Sequence, residues 1–219
     1  MFLNDPCPGW NGKYYTHLLP RDMLPKPIQK PHPPLWVAAT SPNTFAEAAQ
    51  LGLGVIGVGR LGPQQLALAI AAYKEAMAHC TPVGGVVNHQ RGAYAMCGMA
   101  QDYSVGRDIA GATERWYFGD NQAALQTQRF ASQALLRLSN EALITEGLIV
   151  GGDPDRVCHG LERWQSLGVN LMLLMLGAGR TTHDQVMRAL DLLGEKVIPK
   201  FREPVAAHAP AVATAVHHP

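Results

Sequence analysis

The chain is poor in net charge. Its 219 residues carry 18 Lys+Arg against 17 Asp+Glu, a formal balance of +1. Such a balance provides no electrostatic footprint for nucleic acid or for an anionic membrane surface. Cysteine is also scarce. Cys7, Cys80, Cys97 and Cys158 are far apart, and no C-x-x-C pair occurs, so neither a zinc knuckle nor a dithiol redox motif is supported. Reduced thiols in a cytoplasmic protein are the expectation. Long apolar runs are missing too. A membrane helix takes about 18 or more consecutive apolar residues. A secretory leader takes an apolar stretch of about 7–15, whereas Met1 to Trp10 is polar and interrupted by Pro6, Pro8 and Gly9. The strongest apolar run, Leu171 to Leu176, is the size of one strand. What the chain does have is 47% hydrophobic residues, enough for a substantial core.

The most informative stretch runs from Pro25 to Pro42. Pro31, Pro33 and Pro34 fix φ and withdraw backbone donors, which holds an extended approach. Leu35 to Ala39 then reads as a buried strand. Thr40 or Ser41 can cap a helix, and Pro42 suits its first position. A strand that ends in hydroxyls at a helix N-terminus is a ready place for a phosphate.

Three regions follow from composition: an extended proline-rich lead-in over residues 1–34, a body over 35–203, and an Ala/Pro/His-rich tail over 204–219 expected to be disordered. The two histidines near its end, His217 and His218, make a poor metal site. In the body, strands alternate with helices. Strands are expected at 35–39, 54–59, 93–99 and 170–176, with a short piece at 148–150. Helices are expected at 42–51, 63–79, 104–115, 121–138, 154–167 and 182–201. Asp153 should cap the helix that Pro154 opens, and Gly168 should end it. Near-continuous apolar strands separated by helices imply a parallel sheet in an α/β fold.

Gly57-Val-Gly-Arg-Leu-Gly62 matches the dinucleotide pattern G-x-G-x-x-G, and it follows a strand and opens a helix as that pattern requires. A nicotinamide site also wants an acidic residue about 20 positions on. None occurs between Glu75 and Asp102, although Arg91 could take a 2′-phosphate. The glycines therefore have three readings: an NAD(P)-dependent Rossmann oxidoreductase, close helix–strand packing, or approach to another phosphate-bearing cofactor.

Gly12-Lys13-Tyr14-Tyr15 followed by Pro25-Lys-Pro-Ile-Gln-Lys-Pro-His-Pro-Pro34 resembles the middle of the bacterial luciferase-like, flavin-dependent monooxygenases. The resemblance continues through Gly151-Gly152-Asp153-Pro154, Gly168-Val169-Asn170 and Glu195-Lys196-Val197-Ile198-Pro199. It spans about residues 10–203. It implies a TIM barrel, which takes about 250 residues and eight strands. The four clear strands match the fifth to the eighth, so the expectation is the C-terminal half of a barrel, with Met1 at an internal position of a full-length relative. Half a barrel leaves two strand edges and one face open. Self-association, pairing with a separate N-terminal half, or aggregation is expected.

The resemblance also implies a site. Thr40 and Ser41 fall where the family binds the flavin phosphate, and Gly57, Gly59 and Arg60 lie beside them on the next strand. Arg180, after the last strand, falls on the rim as a substrate or phosphate contact. His89 and His183 read as structural. The implied cofactor is FMN, with deazaflavin F420 as the alternative. Reduced flavin from a separate reductase would react with oxygen and oxygenate a small organic substrate. Sulfonate-oxidising relatives carry Arg-x-His on the seventh strand; Ala93-Tyr94-Ala95 stands there in this chain and speaks against a sulfonate. No catalytic residue is identified. A non-catalytic remnant or assembly module is the reading from a different class.

Overall fold

The computed structural model describes residues 7–14, 17–58, 62–120 and 137–202. Residues 121–136 of the helix expected at 121–138, the whole tail, Gly59 and Arg60 lie outside the described residues.

The strands are β1 (Trp36–Ala39), β2 (Gly54–Val58), β3 (Arg91–Met99), β4 (Val150–Gly152) and β5 (Leu171–Met175). All pairings between these strands are parallel. β1 pairs with β2, β2 with β3, and β3 with β5, so the four principal strands stand in chain order. β3 is the long one. It holds β5 along Gly92 to Met96 and the short β4 along Cys97 to Met99. The helices are α1 (Pro42–Gln50), α2 (Gly62–Ala76), α3 (Tyr103–Arg115), α4 (Asn140–Thr145), α5 (Pro154–Ser166), α6 (His183–Leu192) and α7 (Ile198–Phe201). This is the β/α order of a barrel seen in part. A Rossmann crevice forms where strand order reverses, and among the described residues no such reversal occurs between β1, β2, β3 and β5. Arg91, moreover, begins β3 at the end of the sheet opposite Gly57. The nicotinamide reading fails on both counts.

Alternation along the strands divides the sheet into two faces. Ala39, Val55, Ala93, Ala95 and Cys97 face the main core with Phe45, Leu66, Ile70, Trp164 and Val197 from the covering helices. Gly57 belongs to this face. A Cβ there would stand 3.0 Å from Phe45 and 3.2 Å from Leu66, so its missing side chain lets α1 and α2 close onto the strand. Cys97 is fully enclosed, and burial pushes its thiol up to about 12. The four cysteines are free, as expected.

The helix boundaries have local causes. Ser41 caps α1 by accepting from Thr44 N–H, with Pro42 in the first turn. Asp153 caps α5 by accepting from Arg156 N–H at 2.9 Å, and Gly168 follows in a left-handed conformation at φ +99°. Thr182 and Gln185 form a reciprocal capping box for α6. The last helix is interrupted, not continuous. A π-helical turn over Leu193–Val197 separates α6 from α7. Pro199 in α7 lacks the N–H that would continue the α-helical ladder, which accounts for the change of pitch just before it. Short α4 was not expected from the sequence.

The lead-in bears on the N-terminal end of the sheet. Gly85 N–H donates to His32 Nε2 at 2.8 Å, so the ring proton sits on Nδ1 and reaches Pro33 carbonyl at 2.7 Å. Asn88 Nδ2 donates to Leu35 carbonyl, and Tyr73 hydroxyl lies 2.9 Å from Leu53 carbonyl and 2.8 Å from Asn88 carbonyl. These bonds satisfy buried polar groups where the chain enters β1, β2 and β3. Tyr73→Phe removes the shared donor and leaves two carbonyls short of a partner. It should cost about 1–3 kcal/mol, read as a lowered urea midpoint with an unchanged slope.

Candidate functional site at the C-terminal ends of the strands

Parallel pairing brings the C-terminal ends of all four principal strands to one rim. Ala39 stands beside Gly57, Val58 beside Tyr94, and Met96 beside Met175. Thr40 therefore leaves β1 at the rim, Gly57 is close to it on β2, and Arg180 lies five residues past the end of β5. Thr40 and Arg180 are exposed, and Ser41 is half-buried. His89 is exposed at the opposite end of the sheet, and His183 is exposed at the start of α6.

The start of α1 presents more than the two expected hydroxyls. Ser41 Oγ and Thr44 Oγ1 lie 3.0 Å apart. Pro42 has no N–H, and Thr44 N–H is engaged by Ser41, so the remaining donors for an anion are the Ser41, Thr44 and Thr40 hydroxyls and Asn43 N–H. Thr44 was missed in the sequence. Its signal was the spacing from Ser41, one helical turn, which puts both hydroxyls on one side of the first turn.

A second group of residues was also missed. On the face opposite the main core, Tyr94 points its hydroxyl at Met175 Sδ, 3.4 Å away, with Met96 Sδ at 3.7 Å. Tyr94, Met96 and Met175 pack there with Tyr117, Phe118, Leu143 and Ile149. Tyr117 and Phe118 meet edge to face with ring centroids 4.9 Å apart. They lie on a π-helical turn, Trp116–Asp120, that directly continues α3. Gly179 sits under the Trp116 ring, and Thr113 Oγ1 is 3.4 Å from Thr181 Oγ1, so the loop after β5 is tied to α3. Glu114 is almost wholly buried beside this group. Burial, then the neighbouring Tyr117 and Glu114, pushes the Tyr94 phenol well above its ordinary value. The positions of strand three that face this cluster are thus an aromatic alcohol and a thioether. They carry no positive charge for an anionic substrate.

Among the described residues, no three His, Cys, Asp or Glu side chains gather to hold a metal. None of their helices is long and apolar enough to cross a membrane.

The profile of the luciferase-like monooxygenases matches residues 3–171, and the chain belongs to that family. Solved structures share its fold. The monooxygenase RslO1 from Streptomyces bottropensis is 24% identical with a TM-score of 0.68, over 89% of this chain and 56% of that one. The coenzyme F420-dependent tetrahydromethanopterin reductase of Methanopyrus kandleri is 18% identical with a TM-score of 0.61, over 89% and 58%. The oxygenating constituent of 3,6-diketocamphane monooxygenase from Pseudomonas putida, solved with FMN, is 15% identical with a TM-score of 0.65, over 93% and 60%. The chain thus spans little more than half the length of these proteins, and its fold is part of a luciferase-like barrel. No curated protein sequence matches it significantly.

The buried phenol gives a test of the rim's packing. A tyrosine whose pKa is raised on folding favours the native state fully below its unfolded value of about 10, and that contribution is lost as pH rises toward the folded pKa. Stability should therefore fall above about pH 10, and Tyr94→Phe should flatten the fall. Thermal midpoints from pH 8 to 11.5 check this; an unchanged slope in the variant would remove Tyr94 from the cause.

Proposed function

We propose that this chain forms the phosphate-binding half of a flavin-type oxidoreductase barrel of the monooxygenase class. The observation that carries the reading is the Ser41–Thr44 hydroxyl pair, 3.0 Å apart, at a helix start on the C-terminal rim of a parallel sheet. Ligands of barrel enzymes gather at that rim. The residues fit a phosphomonoester. Thr40, Ser41 and Thr44 can each donate a hydroxyl proton, Asn43 adds a backbone N–H, and the positive end of α1 favours the dianion. Arg180, after β5, would supply a guanidinium fork at the same rim, and Arg60, outside the described residues, is a second candidate by its place in the sequence alone. Gly57 contributes indirectly, by letting α1 close onto β2.

When bound, reduced flavin would supply the electrons and the oxygen chemistry. The protein's part is to orient the ring system and keep water away. Tyr94, Tyr117 and Met175, half-buried at the rim over buried Met96 and Phe118, carry no charge and would suit a neutral organic substrate. The cofactor is FMN in the preferred reading and F420 in the alternative. FMN ends in a phosphomonoester, whereas F420 carries its phosphate as a diester within a longer side chain, and both occur among proteins of this fold: one neighbour was solved with FMN, and another is named as F420-dependent. A reductase or another source of reduced flavin is the implied partner, and the cytoplasm the implied compartment.

A second reading has its own support. The face of the sheet away from the main core is partly open, with Leu171 and Leu173 at 39% and 40% exposure. A chain in that state could bind a phosphate and yet fail to shelter a reaction.

Fluorescence titration with FMN and with F420 separates these readings. FMN should bind, and Ser41→Ala with Thr44→Ala should weaken it by about 1–3 kcal/mol. Undiminished affinity in the double variant would return both hydroxyls to plain helix capping. Binding without oxygen consumption in the presence of a flavin reductase and a panel of neutral substrates would favour the non-catalytic reading.

A further inference from the structure

The open face and the two open edges have a common solution. β1 and β5 each pair with a single strand among the described residues, so each presents an unsatisfied row of backbone donors and acceptors. Both run in the same direction, at opposite margins of a four-strand parallel sheet in chain order. The face between them carries Trp36, Ala38, Ile56, Tyr94, Leu171 and Leu173, none of them charged, with Trp36 37%, Leu171 39% and Leu173 40% exposed. Next to the free edge of β5 runs an apolar groove of about 380 Å³ between α5 and the last helix, lined by residues including Trp164, Met172, Leu174, Val197 and Phe201.

We propose that this surface is occupied by a second copy of the chain, and that two copies close into one eight-stranded parallel barrel. A two-fold axis along the barrel would set β1 of one copy beside β5 of the other, twice. Both edges of both copies are then paired at once, and all strands remain parallel. Two-fold symmetry is the commonest among closed homo-oligomers, and a closed barrel has no edges left to pair. A self-complementary contact brings each residue near its own equivalent, so like charges on the face would oppose it. This face has none. The formal net charge of +1 likewise offers little repulsion between copies. An eight-stranded closure also leaves an interior just wide enough to be filled by side chains, which matches the apolar residues on offer. The proposal concerns assembly and stands independently of cofactor choice.

Sedimentation equilibrium of the full chain at micromolar concentration tests it, together with two sets of variants. The wild type should run at twice the 23.6 kDa chain mass. Leu173→Glu should weaken the dimer by about 100-fold or more, while its circular dichroism keeps the helical signal. Ala38→Cys combined in turn with Leu171→Cys and Leu173→Cys should give a covalent dimer on mild oxidation. A disulfide needs Cα atoms within about 7 Å, and two strands intervene between these positions within one chain, so the bond can only form between copies. The cysteine pairs decide the matter even if Leu173→Glu fails to fold. A compact wild-type monomer, open-ended aggregates without a discrete dimer, or a dimer that yields no cross-link at either pair would each overturn the proposal.

Discussion

The structure depends on the ladder around β3. Among the described residues Arg91 to Met99 is the one strand that pairs with three others, and its register decides where the rest of the sheet is placed. Its first half is clamped between β2 and β5. The start of that clamp is fixed at the N-terminal end: Asn170 Oδ1 accepts from Arg91 N–H at 2.7 Å, and Arg91 Nε donates to Gly168 carbonyl at 2.9 Å. Its second half projects past β5 and takes β4 as a new neighbour. A slip of one residue would turn Ala93, Ala95 and Cys97 out of the main core and put Tyr94 and Met96 into it. Small residues on the helix side and large ones on the other face make that slip prohibitive. The overhang of β3 also brings α3 close. Gly98 and Gly106 allow backbone to meet backbone there, since a Cβ on Gly98 would collide with the Ala110 backbone and one on Gly106 with the Gly152 carbonyl, while Gly151 and Gly152 leave room for the Ala110 methyl and the Tyr103 ring. The segment that shelters the rim is thus attached through glycine contacts to the one strand that outgrows the sheet.

The fold was legible where local chemistry and tertiary role agree. The proline at the start of α1, the Asp153–Pro154 start of α5 and the apolar run of β5 each announce an element and each become that element. Boundaries moved by a residue or two where apolar and polar residues blend, as at Arg91, whose side chain reads as loop but whose backbone begins β3. The π-helical turn before α7 was hidden because Pro199 signals its effect only on residues upstream of it. Family membership was carried by the proline block and the Gly-Gly-Asp-Pro turn, which are local and unusual.

The site was legible only in part. Residues joined by a short local rule could be found, so Ser41 was readable from capping logic and Thr44 ought to have been. Tyr94, Glu114 and Tyr117 could not be read in that way. They lie on a strand, a helix and a π-helical turn, and their proximity exists only once β3 and α3 fold back on each other. In sequence, Glu114 is one acid in an amphipathic helix, and nothing there distinguishes a buried carboxylate from a solvated one. Gly57 had three readings in the sequence, and the contacts around it support close helix–strand packing. The pattern around it looks like a phosphate loop, yet its bare Cα faces Phe45 and Leu66, and the demand it answers is helix packing.

These two faces of one sheet carry different obligations. The helix-covered side is complete at its centre: Phe45, Val55, Ala93 and Val157 are essentially without exposure, and the helices enclose them, leaving only the groove beside β5 open. The other side is complete only at the rim, where the turn after α3 lays Tyr117 and Phe118 near Tyr94, Met96 and Met175. Toward β1 and β5 it thins to exposed Trp36, Leu171 and Leu173. The part of the surface best suited to a phosphate therefore sits on the finished side, at the first turn of α1, while the wall suited to an organic substrate runs out onto the unfinished one. Phosphate affinity should be a local property of α1, whereas a sheltered substrate pocket needs whatever completes the barrel. The two can be separated physically because they rest on different halves of the packing, and only the first is self-sufficient.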